Sequence, residues 1–196
     1  MRYPQGHKKE SRTRLISAIG RGFRRHGYAG IGVDGLAKEA EVTSGAFYGH
    51  FSSKDAAFKE VAIAGLEELR EGVLSLRQQH GERWLEHFVD FYLGFKRICD
   101  LSESCGLQSL TPEVARADAD IRSAYEEHMH AVAAAVAEGL PGSTPADRKR
   151  RAWSVLSLLA GGVTLARACA SEAASGDIAI GVKAAVLAIA GDTGKG

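Results

Sequence analysis

Apolar residues recur along most of this chain at intervals of three and four, the period of a helix with one buried face. The first run lies within residues 8–26. There Leu15, Ile16, Ala18, Ile19 and Phe23 form a stripe, and Arg12, Arg14, Arg21 and Arg25 lie largely off it. Gly27 follows at a position suited to ending the helix. Two short pieces come next: Leu36, Ala37 and Ala40, then Phe47, Tyr48 and Phe51, with Val42 placed to fill the crease between them. Thr43 stands where the second piece needs an N-cap, its hydroxyl accepting a free backbone N–H. Ser52 and Asp55 have the spacing of a capping box and open a long helix to about His80. Phe58, Val61, Ala62, Leu66, Leu69, Val73 and Leu76 hold one face of that helix, whose length at 1.5 Å per residue is about 40 Å.

After Gly81 an aromatic-rich helix is predicted from Glu82 to about Leu101. Trp84, Leu85, Phe88, Phe91, Tyr92, Phe95, Ile98 and Cys99 cover more than a narrow stripe, which implies burial on more than one side. Residues 102–112 break the pattern. Helix resumes near Pro112, most clearly over residues 121–140, and Pro141-Gly142-Ser143 marks a turn. Two Ala-, Leu- and Val-rich helices, about 145–172 and 176–190, come last, and the tail 192–196 reads as disordered. Gly161-Gly162 sits inside the first of these at a cost of about 1 kcal/mol per glycine, and points to close approach by another backbone. The expected fold class is all-α with about nine helices, free of internal repeats.

Composition adds bounds. A chain of 196 residues, 45% hydrophobic and 25% charged, is long enough for one or two domains with a real core. No run of 18 apolar residues and no apolar leader after Met1 is present, so the expected location is the cytoplasm. Three cysteines at irregular spacing argue against a disulfide framework. The net charge of +1 is uninformative, but its distribution is not. Residues 1–54 hold ten Lys/Arg against four Asp/Glu, +6, which leaves −5 for the remainder. A basic head on an acidic body is the electrostatic footprint of a DNA-reading domain joined to something else. The arm before residue 8 has two readings, laid along phosphates or disordered.

The two short helices between residues 33 and 51 have the layout of a helix-turn-helix, whose second helix fits the DNA major groove. Val33-Asp34-Gly35-Leu36-Ala37, Ala40-Glu41-Val42-Thr43 and Gly45-Ala46-Phe47-Tyr48-Gly49-His50-Phe51-Ser52-Ser53-Lys54 resemble the DNA-binding signature of TetR-family repressors. The resemblance covers roughly the first 60 residues; beyond them it is one of helical layout. Two positions depart from it. Glu41 replaces a turn glycine that often needs positive φ, and Gly32 replaces a threonine cap. The groove-facing side chains are then Thr43, Ser44, Gly45 and Ala46, which offer hydroxyls and apolar contact but no bidentate guanine reader. Tyr48, His50 and Lys54 are placed for phosphates; for His50 a helix-end hydrogen bond is the alternative.

The resemblance implies a homodimeric, ligand-responsive repressor on a pseudo-palindromic double-stranded DNA operator, with a DNA-binding domain over 1–54 and an effector-binding and dimerisation domain over 55–196. Phe88, Tyr92, Phe95, Cys99, Cys105, Tyr125, His128 and Met129 are the expected lining of a small-molecule effector pocket. Gly161, Gly162, Val163, Val182 and Val186 are the expected dimer contacts, intrachain packing being the other reading. Cys105-Gly106-Leu107 resembles the surroundings of a sensing cysteine in one branch of the family, whereas plain packing is the simpler role for a small buried thiol. No metal, cofactor or catalytic constellation is expected: His128 and His130 point to different helix faces, and there is no phosphate loop or nucleophile elbow. A DNA-binding helical scaffold or an activator, its body holding a protein partner instead of a small molecule, is the alternative function.

Overall fold

The predicted periodicities become helices throughout. The computed structural model describes residues 5–191, with side chains from Arg12 onward. Among these residues every regular element is helical. The α-helices are α1 Gln5–Gly30, α2 Val33–Glu39, α3 Ser44–His50, α4 Lys54–His80, α5 Trp84–Leu93, α6 Phe95–Ile98, α7 Gly106–Val114, α8 Ala119–Glu138, α9 Pro145–Ala168 and α10 Glu172–Gly191. Because α1 already begins at Gln5, what is left of the amino-terminal arm lies outside the described residues, as does the tail 192–196.

Packing divides the chain into two compact units: Met1–Gly65 with Asp100–Glu126, and Leu66–Cys99 with Glu127–Gly196. These are units of packing, drawn on other grounds than the functional split expected at residue 54. In the first unit, Ile19, Phe23, Leu36, Phe47, Phe51 and Phe58 form the core. The rings of Phe23 and Phe58 meet edge to face at 5.3 Å, and those of Phe47 and Phe51 lie 5.2 Å apart. Segment 100–126 is tied to α1 by polar contacts: Arg24 Nε donates to the Ser102 carbonyl at 2.6 Å, and Arg25 faces Asp100 at 3.6 Å. Hydrogen bonds from the Ser102 hydroxyl and N–H, with Arg25 nearby, hold the Asp100 carboxyl below the usual range.

Helix α1 is interrupted at Gly27, as its sequence position predicts. Gly27 takes φ 73° and ψ 168°, a region open almost only to glycine. Glu41 is the only non-glycine residue at positive φ among the described residues, with φ 54°. A side chain at such a position costs about 1 kcal/mol relative to glycine. Glu41→Gly should therefore raise the melting temperature by about 2–4 °C in calorimetry, whereas Glu41→Ala should bring no such gain. Equal melting temperatures for Glu41→Gly and the parent would show that the turn carries no strain.

In the second unit, Trp84, Leu85, Phe88, Val89, Val132, Val136, Val155, Leu159, Val163 and Val186 are buried. Three boundaries differ from expectation. The aromatic helix is not continuous: α5 stops at Gly94, whose φ −87° and ψ −92° leave the helical region, and α6 is a single turn. Helix α7 starts at Gly106 and takes Pro112 inside it, instead of starting at the proline. The cap of α4 is Ser53, whose Oγ accepts the Ala56 N–H at 3.0 Å, one residue later than the expected Ser52. Helix α10 is the one helix among the described residues long and apolar enough to cross a membrane by length and composition, yet only 11% of its most apolar stretch is buried.

Candidate nucleic-acid interface

The reading pair is set by short-range chemistry. Gly32 precedes α2 without a side-chain cap bond, as its lack of a hydroxyl requires. Thr43 caps α3: its Oγ1 accepts the Ala46 N–H at 3.1 Å. Backbone bonds close the turn, Ala40 N–H to the Leu36 carbonyl at 3.1 Å and Val42 N–H to the Ala37 carbonyl at 2.9 Å. Phe47 and the C-cap Phe51 anchor α3 in the core. Thr43, Gly45, Ala46, Tyr48 and Gly49 are left exposed, with Ser44 and His50 half-buried. This is the small, outward face that the sequence predicts.

Neighbouring elements hold α3 in place. Arg12 Nη2 of α1 donates to both carboxylate oxygens of Glu60 of α4, at 2.6 and 2.7 Å, and its guanidinium lies 5.2 Å from the Phe51 ring centroid. Lys54 donates to the Tyr28 carbonyl at 2.5 Å and sits 4.2 Å from that ring's centroid. Two of its three N–H donors remain for a phosphate. The Tyr28 hydroxyl donates to Asp55. Burial, then this hydrogen bond to a carboxylate, pushes the hydroxyl up to about 12. The basic excess of residues 1–54 is thus partly offset within the first unit, where Arg12 pairs with Glu60 and Arg25 with Glu39 and Asp100.

One feature escaped sequence reasoning. A cleft of about 460 Å³ runs beside the turn, lined by Arg14, Ser17, Arg21, Glu41, Val42 and His50 among others. Two arginines of α1 and His50 of α3 thus line one cleft. The signal was present only as arginines lying off the apolar stripe of α1.

The residues expected around an effector divide between the two units. In the second, Phe88 and Tyr92 are buried and meet edge to face at 5.7 Å. Phe95 does not line an interior: it is 51% exposed, stacked on Phe91 at 5.7 Å with Lys96 beside it. The break at Gly94 turns it outward. Cys99 Sγ lies 3.1 Å from Arg167 Nη2, and His128 Nε2 lies 3.7 Å from Glu67 Oε1. Met129 is half-buried. A cleft of about 630 Å³ in this unit, lined by His130, Leu140, Arg148 and neighbours, includes none of the eight. In the first unit, Cys105 is buried at the start of α7, and Tyr125 shares a 2.6 Å hydrogen bond with Thr111. Burial pushes the Tyr125 hydroxyl up to about 12 despite that bond, so it serves as a neutral hydrogen-bonding group.

Of the expected dimer contacts, Val163 and Val186 are 1% and 0% exposed and belong to the interior of a single chain. Gly162 is also used within the chain: a Cβ there would come within 2.7 Å of Val182. Gly161 faces open space. The outward apolar residues of these helices are instead Leu165, 62% exposed, and Ile180, 70% exposed.

Residues 15–61 match the model of the bacterial regulatory proteins, tetR family. No curated protein sequence matches the chain. Solved structures share its fold over nearly the whole length. The crystal structure of a TetR transcriptional regulator from Legionella pneumophila superposes with a TM-score of 0.76 at 15% identity, covering 90% of this chain and 95% of that one. The reduced form of E. coli NemR superposes with 0.75 at 20% identity, covering 92% and 97%. A TetR-family transcriptional regulator from Streptomyces coelicolor does so with 0.72 at 19% identity, covering 93% and 97%. Residues 15–61 thus match the tetR family of bacterial regulatory proteins, and the chain as a whole has the fold of these solved regulators.

Proposed function

We propose that this protein is a ligand-responsive transcriptional repressor that binds a pseudo-palindromic DNA operator as a homodimer. The observation that carries the reading is α3 itself: a capped helix anchored by Phe47 and Phe51, with small residues outward and Tyr48, His50 and Lys54 beside them. Such a surface enters a major groove without steric conflict and reads it through hydroxyls and a methyl group. Arg14 and Arg21 join Tyr48, His50 and Lys54 as phosphate contacts.

Dimerisation is supported by α9 and α10, whose outward faces carry Gly161, Leu165, Ile180, Gly181 and Ala184. Exposed apolar helix faces of this extent mark a partner surface. An effector site is supported by Gln108 on α7, whose Oε1 is buried without a hydrogen-bond partner. A polar group on a small molecule would satisfy it.

The test is a selection of the full-length protein on a randomised duplex library, followed by a metabolite screen on the selected duplex. The expected result is one inverted-repeat sequence and at least one compound that both releases it and raises the melting temperature. A library that yields no enriched sequence would overturn the regulator reading; failure of every compound to release DNA would favour a scaffold without an effector.

A further inference from the structure

The start of the recognition helix carries two aliphatic hydroxyls, at Thr43 and Ser44, of opposite hydrogen-bond polarity. Thr43 Oγ1 accepts the Ala46 N–H, so its own proton remains available for donation. Ser44 Oγ instead donates to Asp34 Oδ1 of α2 at 2.6 Å. A carboxylate only accepts, and serine has a single hydroxyl proton. Held in this way, Ser44 can offer a ligand nothing but lone pairs. Its neighbours leave it the polar voice of its side of the helix, since Gly45 and Gly49 have no side chain and Ala46 ends in a methyl group.

The major groove presents hydrogen-bond donors in only two places, the exocyclic amino groups of adenine and cytosine; guanine O6 and N7 and thymine O4 are acceptors. We propose that Asp34 sets operator specificity through Ser44: with its proton held by Asp34, Ser44 accepts from an adenine or cytosine amino group and rejects guanine or thymine at that base. Ser44 is the reading residue and Asp34 a positioning residue. The inference rests on the DNA-binding reading above and names the base class that one of its side chains selects. Asp34 has two separable effects. Its charge repels phosphates for every sequence alike, whereas its hold on Ser44 is felt at one base pair per half-site.

The experiment compares full-length parent, Ser44→Ala, Asp34→Ala and the double variant by selection on the same randomised duplex library. Both positions are solvent-accessible, so helical content should not change, which circular dichroism checks. For the parent, one position per half-site should favour adenine or cytosine over guanine or thymine by about fivefold. Ser44→Ala should flatten that position. Asp34→Ala, by freeing the hydroxyl to donate, should admit guanine or thymine there to within about twofold while the other positions keep their preferences. At this position the double variant should match Ser44→Ala. An Asp34→Ala profile identical to the parent's at every position would overturn the inference alone. So would a parent preference for guanine or thymine at the position sensitive to Ser44. A parent that enriches no sequence would remove both this inference and the DNA-binding reading.

Discussion

Ala46→Asp is expected to abolish operator binding while leaving the fold intact. Residue 46 is exposed and is the third residue after the Thr43 cap. An acidic side chain at that place is favourable for the helix itself, being close to the free N–H groups and the positive end of the helix dipole. On DNA the same carboxylate meets the groove. A like-charge juxtaposition costs about 2 kcal/mol or more per head. Two heads then cost about 4 kcal/mol, close to a thousandfold in affinity. Fluorescence anisotropy on the selected duplex measures the loss, and a melting curve confirms the fold. If Ala46→Asp binds within a few-fold of the parent, α3 is not the reading helix.

Charging the outward face of α9 and α10 should have an effect of similar size by another route. Leu165→Glu with Ile180→Glu places two carboxylates on exposed apolar positions, so the protomer loses little. A dimer interface containing them loses apolar area and gains unpaired charge. Analytical ultracentrifugation should show monomers with unchanged helical content. Without the second head tethered at millimolar effective concentration, operator affinity should fall roughly 10²- to 10⁴-fold. Changes at Val163 or Val186 cannot serve this purpose, since both side chains are interior to one chain and their replacement would unfold it. An unchanged dimer after the Leu165 and Ile180 changes would place the interface elsewhere.

The helical class and the reading pair were legible because each rests on local signals: a 3.6-residue period, the Thr43 cap, and a motif whose aromatic residues are also its core. Even the strain at Glu41 could be anticipated, since turn geometry is a property of a few consecutive residues. What escaped depends on partners distant in sequence. Arg12 looks like any basic surface residue until Glu60 is brought beside it. Lys54 looks free until the Tyr28 carbonyl is placed against it. The end of α5 at Gly94 was hidden because glycine occurs inside helices at modest cost, as Gly161 and Gly162 do in α9. For the same reason Pro112 misled: proline favours helix starts, but α7 tolerates it in its interior. The interior positions of Val163 and Val186 were not legible because both helices carry apolar residues on more than one face. Periodicity cannot say which stripe meets its own chain and which is left for another.

The most direct measurement of the central claim is the salt dependence of binding to the selected duplex, with stoichiometry determined at each salt concentration. Two heads, each with several phosphate contacts through residues such as Arg14, Arg21, Tyr48, His50 and Lys54, imply a log–log slope of roughly −5 to −9. The expected result is that slope together with two chains per duplex and a much weaker, equally salt-sensitive affinity for scrambled DNA. A salt-independent affinity, or equal affinity for selected and scrambled duplexes, would contradict it.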